Sequence, residues 1–82
     1  MQKTIFITGA SSGLGKSTAK LFQANGWKVI ATMRNTENEK ELAQLENVTL
    51  VSLDVSDAQQ IDRVVKEVTE QHSIDVVLNN AG

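Results

Sequence analysis

Three glycines spaced Gly9-x-x-x-Gly13-x-Gly15 stand where an apolar run, Ile5-Phe6-Ile7, gives way to a helix-like stretch from Lys16 to Asn25. A side-chain-free turn between strand and helix lets backbone N–H groups close on a phosphate, and the helix N-terminus adds partial positive charge there. The chemistry these residues could do is capture of a phosphate-bearing nucleotide. Gly9 would permit the tight turn, Gly13 the approach of backbone to a diphosphate, and Gly15 close packing of helix on strand. Ser11 and Ser12 could donate hydroxyls to phosphate or ribose, or bond their own backbone as turn serines do. Arg34 follows a second apolar run, Ala31-Thr32-Met33, that offers no acid. Its guanidinium is a fixed cation able to grip phosphate through two parallel N–H bonds. Asp54-Val55 follows a third apolar run, and Asn79-Asn80-Ala81-Gly82 a fourth.

A second nucleotide motif competes for the same residues. Gly15-Lys16-Ser17 reproduces the end of the P-loop, G-x-x-x-x-G-K-[ST], and Leu53-Asp54 could pass for its magnesium-binding acid. The spacing fails by one residue, because the first glycine belongs at position 10, which is Ala10. A P-loop-like ATP or GTP module is the alternative reading, and a structural or assembly fragment that binds no nucleotide is a third.

The elements that must position these residues alternate in type. Thr4–Thr8, Lys28–Met33, Val48–Leu53 and Asp75–Leu78 read as strands, and their continuous β-branched runs suit strands covered on both faces. Between the first two, a helix with Leu14, Leu21 and Phe22 on its inner face would stop at Asn25-Gly26. Thr36 and Glu39 form a capping-box pattern for a short second helix with Leu42 and Leu45 inside. Ser56 and Gln59 repeat the pattern for a third, whose Ile61, Val64, Val65 and Val68 follow the i, i+3, i+4, i+7 rule. The order β-α-β-α-β-α-β predicts an open parallel sheet with right-handed crossovers, a single α/β unit over residues 1–82.

Composition narrows the function classes. The 82 residues carry a net charge of −2, so no broad basic field is present for nucleic acid or an anionic membrane, and neither partner is expected. Cysteine is absent and His72 is the only histidine, which excludes disulfides and thiolate or multi-histidine metal sites. His72 reads as a solvated or helix-capping residue. No apolar run approaches the roughly 20 residues of a membrane span, and the start of the chain lacks a signal-peptide pattern. A cytoplasmic, soluble protein is the expectation.

Thr8 to Gly15, Arg34, Asp54-Val55 and Asn79 to Gly82 fall in order at the ends of successive strands. With these four landmarks the chain resembles, over its whole length, the N-terminal half of short-chain dehydrogenases/reductases. The resemblance implies a Rossmann-like three-layer sheet of order 3-2-1-4 and NADP as cofactor. It implies that Gly9, Ser11, Ser12, Gly13, Leu14 and Gly15 hold the diphosphate region, and that Arg34 lies beside the 2′-phosphate. Asp54 would accept from the adenine amino group with the Val55 backbone assisting, and Asn80, Ala81 and Gly82 would lie against the adenosine ribose. Some relatives carry a further basic residue just before the second glycine; that position is Ser12 here.

The family transfers hydride between NADP(H) and a carbonyl or alcohol, using a serine and a Tyr-x-x-x-Lys pair. This sequence contains no tyrosine, so the 82 residues read as a truncated cofactor-binding half, catalytically silent alone and with no catalytic residue to name. Family topology also puts the fourth strand at an edge, one sheet face under two helices and the other under one. The expectation is a homo-oligomer formed through that edge or the less covered face.

Overall fold

The computed structural model describes residues 2–11 and 13–80. Strands β1 (Thr4–Thr8), β2 (Lys28–Met33), β3 (Val48–Ser52) and β4 (Val76–Asn79) form one sheet in the order β3-β2-β1-β4, with every pairing parallel. Helix α1 (Gly13–Ala24) connects β1 to β2, and helix α2 (Ala58–Gln71) connects β3 to β4. The doubly wound order expected from the sequence is present. Because all four strands run the same way, Thr8, Met33, Ser52 and Asn79 end at one edge of the sheet, and Thr8 pairs in register with Asn79.

Alternation along the strands builds two apolar layers. Ile5, Ile7, Val29, Ala31 and Met33 face α1, where Ala19 and the segment residue Leu42 complete the layer. Phe6 and Ile30 face α2, meeting Leu53, Val64 and Val68. The central strands β1 and β2 are buried almost throughout, as their unbroken apolar runs predict. The outer strands are not: β3 and β4 are partly or fully exposed, and Val77 is 64% exposed. A strand at an edge has fewer neighbours to cover it, whatever its β propensity.

Helix α1 shows how local signals fix an element's end. Gly26 takes a left-handed φ of 85°, Trp27 N–H donates to Phe22 O at 3.0 Å, and Gly26 N–H donates to Gln23 O at 3.1 Å. This is a Schellman closure, and the hydrophobic contact that accompanies it is the Phe22–Trp27 edge-to-face pair, centroids 4.8 Å apart.

Several expectations need correction. The inner face of α1 is not Leu14, Leu21 and Phe22: Leu14 and Leu21 are exposed, and Gly15, Ala19 and Phe22 lie inward. The second helix is replaced by two short 3-10 turns, Thr36–Asn38 and Leu42–Gln44. Asn35, not Thr36, caps the first of them, its Oδ1 accepting from Glu37 N–H at 3.0 Å. Helix α2 is capped by Asp57 rather than Ser56, with Oδ1 accepting from Gln59 and Gln60 N–H at 3.1 and 3.2 Å. On that helix Val65 points outward while Val64 and Val68 are buried.

Candidate functional site

The site is built on the turn after β1. Gly9 and Gly13 hold φ of 63° and 57°, conformations that cost residues with a Cβ roughly 1–2 kcal/mol. Gly15 is constrained differently. A Cβ there would collide with the Gly9 carbonyl and lie 2.6 Å from Asn80 Nδ2. The first turn of α1 therefore lies directly against the backbone of the loop, with no space between for a side chain. Ser11 is exposed in the turn, and Leu14 projects outward from the start of α1.

The end of β4 is tied to the same turn. Thr8 Oγ1–H donates to Asn79 Oδ1 at 2.8 Å and accepts from Asn80 N–H at 2.9 Å. Asn80 Nδ2–H donates to Gly9 O at 3.2 Å. Sequence reasoning placed Thr8 and Asn79 in the strand-end motifs but, of the three, counted only Asn80 among the cofactor-contacting residues. Their signal was adjacency: each sits one position before a named residue, on strands whose parallel register brings the two together.

Arg34 and Asp54 meet at the ends of β2 and β3, Nε and Oδ1 3.7 Å apart. The Arg34 side chain is 77% exposed, so this pair contributes little to stability. Strand pairing holds its backbone: Ser52 Oγ–H donates to Arg34 O at 3.0 Å, and Leu53 N–H to Met33 O at 2.8 Å. Asp54 Oδ1 accepts from Ser56 Oγ–H at 2.7 Å and Ser56 N–H at 3.0 Å. Those bonds from Ser56, with the Arg34 charge adding a smaller effect, hold the Asp54 carboxyl below the usual carboxylate range against a desolvation that works upward. The acid thus stays ionised as an acceptor. Val55 follows it, partly exposed.

The structure brings Gly9, Gly13, Gly15 and Asn80 into one cluster and Arg34 and Asp54 into a second, both at the carboxyl edge of the sheet. Ser12, Ala81 and Gly82 lie outside the described residues. An open groove of about 340 Å³ starts at Thr8 and Asn79 and passes Leu53, Val55 and Val65. A larger groove, about 530 Å³, lies at the opposite end among Lys3, Thr4, Lys28, His72 and Asp75. None of the expected site residues lines it, and the Asp75 carboxylate there is engaged by Thr4 N–H at 2.8 Å.

The lysine of the P-loop-like sequence does not face the glycine turn. Lys16 Nζ is 3.3 Å from Glu39 Oε2 and 3.4 Å from Glu41 Oε1, on the flank of α1. Asp54, the would-be magnesium ligand, is occupied by Ser56 and Arg34. Among the described residues no cluster of acids and histidines suited to a metal ion occurs, and no helix is long and apolar enough to cross a membrane.

Comparison with known proteins agrees with this geometry. Residues 3–82 match the family model for short chain dehydrogenase. The short-chain dehydrogenase PC-15 of Penicillium crustosum is 40% identical over 85 residues, which take in 99% of this chain and 31% of that protein. A short-chain dehydrogenase structure from Streptomyces avermitilis superposes with a TM-score of 0.92 at 40% identity, over all of this chain and 31% of its own. ElxO with NADP bound gives 0.89 at 34% identity, over all of this chain and 36% of its own. The structure of 4-hydroxyisoleucine dehydrogenase complexed with NADH gives 0.87 at 30%, over 99% of this chain and 34% of its own. The chain spans about a third of the length of the curated relatives it matches.

Proposed function

The chain belongs to the short-chain dehydrogenase family, and from that premise we propose that residues 1–82 are the NADP(H)-binding portion of an oxidoreductase acting on a carbonyl or alcohol. The single observation that carries this reading is the glycine turn. At the carboxyl end of β1 the helix start is packed so closely that not even a methyl group fits at Gly15. Gly9, Gly13 and Gly15 present bare main chain along that turn, and bare main chain is what lets a diphosphate come close to the start of a helix.

The residues present fit the dinucleotide. Gly9, Ser11, Gly13, Leu14 and Gly15 form the diphosphate cradle with Ser12. The Asp54 carboxylate would accept from the adenine amino group beside the Val55 backbone. Asn80, with Ala81 and Gly82, would hold the ribose. When bound, NADP(H) supplies or takes the hydride; the residues described here bind and orient it and carry no proton-transfer role. Arg34 favours the 2′-phosphate over NADH, because β2 ends in a cation where a ribose-binding acid would repel that group. NADP bound to ElxO supports the choice; NADH bound to 4-hydroxyisoleucine dehydrogenase marks the alternative that Arg34 decides.

Isothermal titration with NADPH and NADH tests it. Arg34→Ala is expected to weaken NADPH by about 10- to 100-fold, the scale of lost charge-assisted hydrogen bonds, and NADH by less than about threefold. Equal weakening of both would refute the NADP assignment, and magnesium-dependent ATP binding would refute the dinucleotide reading.

The reading extends to a cytoplasmic location, supported by a cysteine-free composition that asks for no oxidising compartment. It also extends to a homo-oligomer, supported by exposed Val76 and Val77 on the edge strand β4. A sedimentation mass equal to one chain at all concentrations would exclude that assembly.

A further inference from the structure

The residue that made the P-loop decoy, Lys16, is left without a part in the reading above, yet it is among the best-connected charges in the molecule. Lys16, Lys20 and Gln23 lie at i, i+4 and i+7 of α1, and all three reach the segment that leads from Arg34 back to β3. Lys16 meets Glu39 and Glu41 at 3.3 and 3.4 Å. Lys20 pairs with Glu41, and Gln23 Nε2–H donates to Glu46 O at 3.1 Å. One polar stripe of the helix whose N-terminus forms the diphosphate cradle therefore straps down the segment that follows Arg34.

Glu39 is the centre of the strap. Its side chain is 4% exposed, and its Oε2 accepts from Leu42 N–H at 3.1 Å as well as facing Lys16. Leu42 is fully buried in the layer that holds Ala19 and Met33. A carboxylate in that position stays inside only with a cation beside it. Remove the Lys16 charge and Glu39 is a buried carboxylate without its cation, which draws it out toward water, and leaving strips Leu42 N–H of its acceptor. Arg34 is sensitive to such a shift. Among the described residues its exposed side chain is held by the 3.7 Å approach to Asp54, so its placement depends on backbone on both sides of it.

We propose that Lys16, acting through the buried carboxylate of Glu39, is a positioning residue that sets Arg34 for the 2′-phosphate and so tunes selection between phosphorylated and unphosphorylated dinucleotides. This rests on the NADP reading. Among the described residues the polar partners of the Glu39 carboxylate are Lys16 and Leu42 N–H, neither of them in the glycine turn, so the effect is expected at the 2′-phosphate end.

The probes are 2′,5′-ADP, which carries the 2′-phosphate, and 5′-AMP, which lacks it, titrated against the full chain with folding checked by circular dichroism. Lys16→Met is expected to weaken 2′,5′-ADP about tenfold and 5′-AMP by less than about twofold, the scale of a misplaced bidentate charge contact. Lys16→Arg should retain both affinities. The double variant Lys16→Met with Glu39→Gln removes both charges and keeps an acceptor for Leu42, so it should fold and recover most of the 2′,5′-ADP affinity. Equal loss for both probes, or no loss while Arg34→Ala still selectively weakens 2′,5′-ADP, would overturn the positioning role and leave the NADP reading standing. No selective loss from Arg34→Ala would overturn that reading and this proposal together.

Discussion

Gly15→Ala is expected to weaken NADPH binding at least about 100-fold and to destabilise the fold by up to about 2 kcal/mol, although alanine is the better helix former. In an unconstrained helix interior, the exchange of glycine for alanine favours folding by about 1 kcal/mol. Here that gain is opposed by a collision with a backbone carbonyl, and a backbone carbonyl has no rotamer by which to move aside. Gly9 O cannot shift alone either, because it accepts Asn80 Nδ2–H at 3.2 Å and so links the turn to the residue that follows β4. Overpacking of this kind costs about 1–3 kcal/mol, enough to reverse the propensity gain. The binding loss is larger than the stability loss because the displaced atoms are the cradle itself. Denaturant midpoints and NADPH titration measure the two effects. Ser17→Ala, two residues on and exposed, is the control and should leave both nearly unchanged. If Gly15→Ala bound NADPH as tightly as the parent chain, the main-chain cradle would not be the diphosphate site.

The same glycine explains what the sequence could and could not reveal about α1. Two apolar stripes are available on that helix, Leu14 with Leu21, and Ala19 with Phe22. Hydrophobicity favours the leucines, which is why they read as the inner face. What sets the phase of the helix is contact distance: with Gly15 against Gly9, the small residue Ala19 one turn later must also face the sheet, and the leucines are turned outward. Periodicity reports a spacing but not which stripe can approach closely. The segment after Arg34 failed for a related reason. Leu42 and Leu45 are too few to give a helix a buried face, and isolated short helices are marginal. Glu39, assigned to a capping box with Thr36, is instead drawn to Lys16, a partner 23 residues away that no local pattern can reveal.

The start of α2 was legible in kind and wrong by one residue. Ser56 and Asp57 are both capping residue types. Asp54 decides between them by engaging Ser56 through both its hydroxyl and its N–H, which leaves Asp57 to cap the helix. The landmarks at the strand ends, by contrast, were legible because parallel pairing leaves them nowhere else to go. Once β1 to β4 were recognised as parallel strands, Gly9, Arg34, Asp54 and Asn80 had to share an edge.

The layer under α2 is the thinner of the two, which makes Ile30→Ala the second large effect. Ile30 is fully buried on the central strand β2, opposite Phe6 on β1 and Thr49 on β3, and it faces Leu53, Val64 and Val68. Truncation to alanine leaves a void that few neighbours can fill, and such changes cost about 2–5 kcal/mol. Domains of this size hold roughly 5–15 kcal/mol in total, so the urea midpoint should fall by a large fraction of its value. Val77→Ala, on the exposed edge strand, should change the stability by less than about 0.5 kcal/mol. Binding should suffer as well as stability. Leu53 belongs to this layer, and its N–H donates to Met33 O at 2.8 Å, immediately before the Arg34–Asp54 pair. A helix that settles into the void carries the Asp57 cap with it. Gln60, whose Oε1 accepts from Asp54 N–H, moves too, so the carboxylate proposed to meet the adenine loses its fixed position. NADPH titration of Ile30→Ala under conditions where it remains folded should show weakened affinity. Unchanged affinity there would mean that Asp54 is placed by the β2–β3 pairing alone.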